Sequence, residues 1–475
     1  MRGAVAAGHP LTAAAGADVL RAGGNAVDAA VGAALTSWVA ESTVTGPGAG
    51  GFMLVHRARD RSTRVFDFFV AIPGLGDDYA EVREMDRIEV DFSGGSTQLF
   101  RIGPASCAIP GAPLGLETAH RAFGRLPWAE LFAPAIEHAR NGVGLTPGQA
   151  YLHEILDAIL RHTPESRDVY ESDGDFLREG DAIVQRDLAQ TLELFAEEGT
   201  AALYTGELAR RLVEHVASIT PRDLAEYRVI RRRPVRTAFR GGEFLSNPPP
   251  SAGGTLIAYG LGLLDDVGEP GSAEAIDALA RVMQAQAGVR ATRAIVSRGT
   301  THISVVDGEG NAVALTASTG AGSGVVVPGT GIHLNNMIGE FEVDRMPRPG
   351  ERLSSSMSPS IVLRDDRPQL VVGSAGSLRL RGAVMQIVVN AVQHELPVRS
   401  AIDRPRVHLD GDVLHCEGGH DPAELDRVEA MGWNVARWEM QNLYFGGAAA
   451  VGLTSDGELE AAGDPRRGGA GVVVE

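Results

Sequence analysis

The sequence has 475 residues, with 43 basic and 61 acidic side chains and a formal net charge of -18. That balance argues against a nucleic-acid partner, which needs a basic face for phosphate. All the basic residues are arginine, and the absence of lysine excludes a Walker-type phosphate loop, a pyridoxal enzyme and a Schiff-base aldolase, each built around one.

The composition, 44% hydrophobic and 22% charged, is that of a globular chain long enough for about three domains. Cys107 and Cys416 lie far apart, with no CxxC or Cys/His zinc spacing. No metal and no cofactor are expected, and a single disulfide stays open. The first apolar run is too short for a signal-peptide core, and no stretch reaches transmembrane length. The chain reads as a soluble cytoplasmic protein without a membrane partner.

In chain order, residues 12–40 read as two helices broken by Gly23-Gly24-Asn25. The second carries Val27, Val31, Leu35 and Trp38 near helical spacing. The glycine-rich turn 45–51 precedes a strand over 52–56, and a second strand covers 64–70. A turn precedes a strand here rather than a helix, so close packing is a better reading than phosphate binding. Residues 112–230 are mostly helical, with Gly124-Arg-Leu-Pro-Trp128 turning into a helix over 129–140. Helices follow over 255–264 and 273–292.

The pattern changes at residue 299. Residues 301–307 alternate, Gly308-Glu-Gly-Asn311 turns and 312–318 return, a strong hairpin signal. Strands over 360–363 and 370–373 precede a long apolar helix over 376–392. There is no internal repeat and no low-complexity linker.

The hairpin begins Gly299-Thr300-Thr301-His302. A threonine hydroxyl is a weak nucleophile unless a nearby base takes its proton, and the residue's own α-amine can do so. A free α-amine has a pKa of about 7.7–8.0. An internal threonine has none, so the chain must first be cut at Gly299–Thr300. Glycine tolerates the backbone geometry of an N-to-O acyl shift, and β-branching holds the threonine χ1. Standing against this is an ordinary threonine-rich strand.

The surrounding residues decide between them. The chain resembles the γ-glutamyltransferase (γ-glutamyltranspeptidase) family of N-terminal-nucleophile hydrolases over nearly its whole length. The resemblance rests on Gly24-Asn-Ala-Val-Asp-Ala-Ala30, Gly124-Arg-Leu-Pro-Trp128 and Pro248-Pro-Pro-Ser-Ala-Gly-Gly254. It continues in Thr300-Thr-His-Ile-Ser-Val-Val-Asp307, Leu334-Asn-Asn336, Ser355-Ser-Met-Ser-Pro359 and Asp403-Arg-Pro-Arg-Val-His408. It implies an α+β fold, a four-layer αββα sandwich, made as a precursor and cut into two intertwined chains, 1–299 and 300–475. It implies Thr300 as nucleophile, its amine as base, and Ser318 as the second hydroxyl. The backbone N–H groups of Gly376 and Ser377 would form the oxyanion hole.

The resemblance thins at the substrate. The family holds a glutamyl α-carboxylate with an arginine and two serines. The serines are Ser355 and Ser356, but Phe69 stands where the arginine should be, and an aromatic ring cannot make a bidentate carboxylate clamp. On the amino side, Met337 replaces a glutamine and Glu340 an aspartate. Either Arg352 or Arg379 substitutes for the lost arginine, or the acyl group differs. We expect a larger or less polar acyl group, with Phe69 and Met337 lining its pocket and Glu340 binding a substrate amine. The short segment 341–355, where relatives carry a lid, implies an open site.

The resulting reading is an autoprocessed amide hydrolase or acyltransferase with a small-molecule substrate. A true γ-glutamyl hydrolase or transpeptidase, and a non-maturing binding protein, are its competitors. His302 reads as structural. His408, His415 and His420 read as surface or core side chains, and Asp464-Pro-Arg-Arg467 as a structural motif.

Overall fold

The chain opens with a strand, Gly3–Ala7, and two helices, Pro10–Arg21 and Ala26–Ala40. Asn25 starts the second helix. Its side chain accepts the N–H groups of Val27 and Asp28, and the Asp28 carboxylate accepts the N–H of Asn25. This capping box satisfies donors that a helix start leaves without partners. All residues of the helix are buried, which accounts for a sequence apolar nearly all round.

Asp28 does more than cap. It also accepts the N–H groups of Arg125, at 2.9 Å, and Leu126, at 3.3 Å. Asn25 Nδ2 donates to Phe123 O at 2.7 Å. Two motifs about a hundred positions apart, Gly24–Ala30 and Gly124–Trp128, therefore meet at one fully buried carboxylate.

The computed structural model describes residues 2–77, 79, 84–92, 96–265, 267–289, 299–340, 347–376, 379–454 and 456–475. Two antiparallel sheets carry the fold. The first runs, edge to edge, Ile230–Arg232, Ser62–Phe68, Gly50–Arg57, Ala312–Ser318, Thr301–Asp307, Gly3–Ala7 and Ala470–Val474. The second runs Val235–Phe239, Gly242–Ser246, Ser360–Arg364, Arg367–Ala375, Gly447–Leu453 and Leu459–Gly463.

Strand alternation sorts the buried side chains. Val5, Ile303 and Val305 join the helices Pro10–Arg21 and Ala26–Ala40 in one hydrophobic cluster. Ala4, Ala6 and Val306 join Ile361, Val371 and Val451 of the second sheet in another. The opposite face of the second sheet, with Val362, Val372 and Ala450, packs on helices Gly253–Leu263, Ala273–Gly288 and Arg379–Val388. The fold is α+β.

The structure differs from the sequence expectation in four places. Gly3–Ala7 is a strand inside the first sheet, paired on both edges. The helix expected from residue 129 opens as a 3-10 turn, Trp128–Phe132, and becomes α-helical only from Ala133, because Pro134 fits a first turn and not a helix interior. The helix expected from 376 starts at Arg379. Gly376 has a φ of +125°, outside helical space. The helix expected over 273–292 is described as far as Gly288, and 290–292 lie outside the described residues. Both cysteines are buried free thiols. Among the described residues no helix is long and apolar enough to cross a membrane.

Replacing Asp28 with alanine leaves the part-buried N–H donors of Arg125 and Leu126 without that acceptor. Urea unfolding of Asp28→Ala should show a loss of about 2–4 kcal/mol.

Candidate active site

The hairpin turn sets the register of the site. Asp307 Oδ1 accepts the N–H groups of Glu309 and Asn311, and its Oδ2 accepts Asn311 Nδ2 and the N–H of Ala26, all within 3.0 Å. The strands then pair Thr301 with Ala317 and His302 with Thr316. Continuing that register sets Thr300 opposite Ser318. Alternation puts both on the face of His302 and Thr316, toward the second sheet, and turns Thr301 to the helix side.

At the hairpin mouth Ser318 Oγ donates to the Gly299 carbonyl oxygen and accepts the N–H of Gly320 at 2.8 Å. The carbonyl of the bond expected to be cut thus carries a hydroxyl donor. Glycine is required before it: a Cβ on Gly299 would lie 2.2 Å from Gly320 O. Thr300 is fully buried, and its own carbonyl accepts from Arg467 Nη1.

The second sheet supplies the opposite wall. Strand Arg367–Ala375 ends just before Gly376, whose positive φ favours glycine, and a Cβ there would sit 2.8 Å from Gly446 Cα. Ser377 lies outside the described residues. Gly299 and Gly376 line one cleft. Its apolar walls are Phe100, Leu152, Ile155, Leu156 and Leu443, and its polar groups are Gln98, Arg379 and Arg467. The Arg379 guanidinium lies 4.1 Å from the centre of the Tyr444 ring, a cation–π distance.

The residues expected to bind the acyl group fall in two places. Glu340 is buried next to the hairpin mouth, its Oε1 accepting the N–H of Ala321 at 3.1 Å. Ser355 and Ser356 are buried. Ser355 Oγ accepts the N–H of Met357 at 3.1 Å, and its carbonyl accepts from Ala252 N and Ser251 Oγ. Phe69 and Met337 belong to the cluster between the sheets, where Phe69 stacks on Phe52 with centroids 5.4 Å apart. Neither is among the residues lining the cleft, and nor are Thr300, Ser318, Glu340, Ser355 or Ser356.

The two arginines weighed as substitutes are also separated. Arg352 lies 3.6 Å from Asp67 and over the Tyr227 ring, away from the cleft lining. Arg379 is part of that lining.

His302 is a core residue. Its Nδ1 meets Thr316 Oγ1 at 2.7 Å and its Nε2 meets Ser304 Oγ at 3.0 Å. Burial pushes its pKa down to about 3 and lowers those of His408, His415 and His420. Among the described residues no group of three or more His, Cys, Asp or Glu side chains could hold a metal ion.

Two residues at the site escaped the sequence reading. Arg467, taken as structural, reaches the Thr300 carbonyl. Burial lowers its pKa, against opposing influences from Glu41 and Asp464. Glu41 ends the helix Ala26–Ala40 and accepts a hydrogen bond from Thr301 Oγ1 at 2.6 Å. The signal for Glu41 was an acid at a helix C-terminus, where the helix dipole disfavours it.

The profile of the Gamma-glutamyltranspeptidase family matches residues 12–296 and 272–474. The "Acylase ACY 1 proenzyme" of Pseudomonas sp. (strain SE83) is 32% identical, over 100% of this chain and 94% of its own length. The "Glutathione hydrolase proenzyme" of Pseudomonas aeruginosa is 31% identical, over 100% and 95%. The crystal structure of a cephalosporin acylase from Bacillus halodurans superposes with a TM-score of 0.83 at 24% identity, over 100% of this chain and 96% of that one. The fold is that of the N-terminal-nucleophile hydrolases. The chain belongs to the γ-glutamyltranspeptidase family.

Replacing Ser318 with alanine removes the donor on the Gly299 carbonyl. A time course of intact mass should show chain cleavage slowed by about 10²–10³, the usual loss for one oxyanion donor.

Proposed function

We propose that this chain is a self-processing amide hydrolase or acyltransferase whose nucleophile is Thr300 and whose acyl group is not glutamyl. The carrying observation is the Ser318 hydroxyl on the Gly299 carbonyl, beside a buried Thr300. The family's proenzyme relatives support the self-processing part of this reading. We also infer that the two sheets and their helices stack as an αββα sandwich, which the three separate hydrophobic clusters support.

In maturation Thr300 Oγ1 attacks the Gly299 carbonyl carbon while Ser318 stabilises the developing charge on its oxygen. The C–N bond breaks, the nitrogen takes the proton lost by the hydroxyl, and an ester remains. Water hydrolyses the ester, leaving chains 1–299 and 300–475. In turnover the Thr300 amine accepts the hydroxyl proton as Oγ1 attacks the substrate amide. The oxyanion is held by the N–H of Gly376. The proton passes to the departing amine, and water or an acceptor amine releases the acyl group.

The acyl assignment rests on the cleft. Its walls are mainly apolar and it carries Arg379, while Phe69 occupies the inter-sheet core. A glutamyl head, with a carboxylate and an ammonium on one carbon, finds no matching arginine at position 69. An acyl group with an apolar body fits these walls better.

Intact mass tests the nucleophile. The wild type should separate into two chains split at Gly299–Thr300, and Thr300→Ala should stay whole. A wild type that stays whole after long incubation would sink the enzyme reading in favour of a binding protein. A screen of γ-glutamyl, aliphatic and aryl-acyl p-nitroanilides tests the acyl group, and faster release from the γ-glutamyl compound would reverse that assignment. Phe69→Arg should not create γ-glutamyl activity, because it buries a charge between the sheets. It should cost about 3 kcal/mol or more in urea unfolding.

A further inference from the structure

Glu41 has no part in the reaction as described so far, yet its carboxylate bonds two elements, the helix Pro10–Arg21 and the strand that follows Thr300. Oε1 accepts from Thr12 Oγ1 at 2.9 Å, in the first turn of helix Pro10–Arg21. Oε2 accepts from Thr301 Oγ1 at 2.6 Å. Glu41 is also the leading charge that opposes the effect of burial on Arg467, the arginine that donates to the Thr300 carbonyl. The Glu41 carbonyl accepts the N–H groups of Val44 and Thr45, and Val44 lies against Gly299. Glu41 therefore bonds the residue after the nucleophile through its side chain, and the segment beside the bond to be cut through its backbone.

We propose that Glu41 is a positioning residue for Thr300, which it fixes through Thr301, and that its negative charge raises the basicity of the amine released by cleavage. The proposal rests on the reading of Thr300 as an N-terminal nucleophile. Successive Cα atoms are about 3.8 Å apart, so the carboxylate is on the order of 6–8 Å from the Thr300 nitrogen. A buried opposite charge at that range stabilises an ammonium.

The charges facing this amine come from four sides. Glu41 and His9 stand at the helix ends, and Arg466 and Arg467 on the C-terminal turn. Glu340 lies behind Gly320, and Arg379 across the cleft. Arg466 is engaged with Glu417 and Asp464. Among these groups Glu41 alone bonds to the residue next to the amine.

The absence of lysine makes the amine measurable. After cleavage the sequence has one α-amine on each of its two chains and no other. Reductive methylation with ¹³C-formaldehyde then gives one reporter resonance per chain, and its shift against pH gives each amine's pKa without any substrate. In Glu41→Gln, which keeps an acceptor for Thr301, the Thr300 amine should titrate about one pH unit lower than in wild type, with the other amine unmoved. A change under 0.2 units, or a rise, overturns the charge effect.

Thr301→Val carries the positioning arm if Glu41→Gln does not fold. Its chain cleavage, followed by intact mass, should slow at least tenfold, and Thr301→Ser should restore the wild-type rate. Unchanged cleavage in Thr301→Val overturns the positioning role. A wild type that never shows the second amine overturns the nucleophile reading and this proposal together. A cleaved wild type with no shift in Glu41→Gln overturns this proposal alone.

Discussion

The site depends on how closely two backbones approach at the mouth of one hairpin. Gly299 and Gly320 leave no room between them for a Cβ. That proximity brings the Ser318 hydroxyl to the carbonyl before Thr300. The register behind it is set at the far end, where Asp307 saturates the turn and ties it to the start of helix Ala26–Ala40. A shift of one residue would turn Thr300 and Ser318 to the opposite face. The bonds at Asp307 oppose that shift.

The remaining family motifs serve this geometry in pairs. Asn335 Nδ2 donates to the carbonyls of Gly48 and Ala108, so Leu334-Asn-Asn336 holds the glycine-rich turn. Ser251 Oγ and Ala252 N both donate to the Ser355 carbonyl, which joins the 248–254 loop to the serine pair. Arg406 bonds Asp464 at 2.6 Å and the carbonyls of Phe445 and Gly446, behind Gly376. Asp464 and Glu417 share Arg466, and that buried network presents Arg467 to Thr300. These segments are far apart in sequence, and each pair satisfies polar groups that burial would otherwise leave without partners.

Local pattern made much of this legible. The hairpin 301–318 follows from alternation and its glycine turn, and the structure has both strands over the same residues. The helices around Asn25 follow from spacing and a cap. Strand Gly3–Ala7 was not legible, because five small or apolar residues carry no alternation once both faces are buried. The cleft was only half legible. Gly299, Ser318 and Gly376 come from motifs, whereas Phe100, Leu152 and Ile155 come from elements with no motif and meet only through tertiary packing. Phe69 and Met337 were expected to line it, but both pack in the core between the sheets.

Strand Gly3–Ala7 lies between Thr301–Asp307 on one side and Ala470–Val474 on the other. Both neighbours come from the segment after residue 299, while Gly50–Arg57 and Ser62–Phe68 come from before it. A cut at Gly299–Thr300 therefore changes covalent connectivity without creating two folding units. Neither product could complete the first sheet alone. The uncut chain folds unimolecularly, whereas the cut protein, once unfolded, must find its complement by a bimolecular encounter that dilution slows. Processing would turn a reversible fold into one whose persistence is governed by its rate of unfolding.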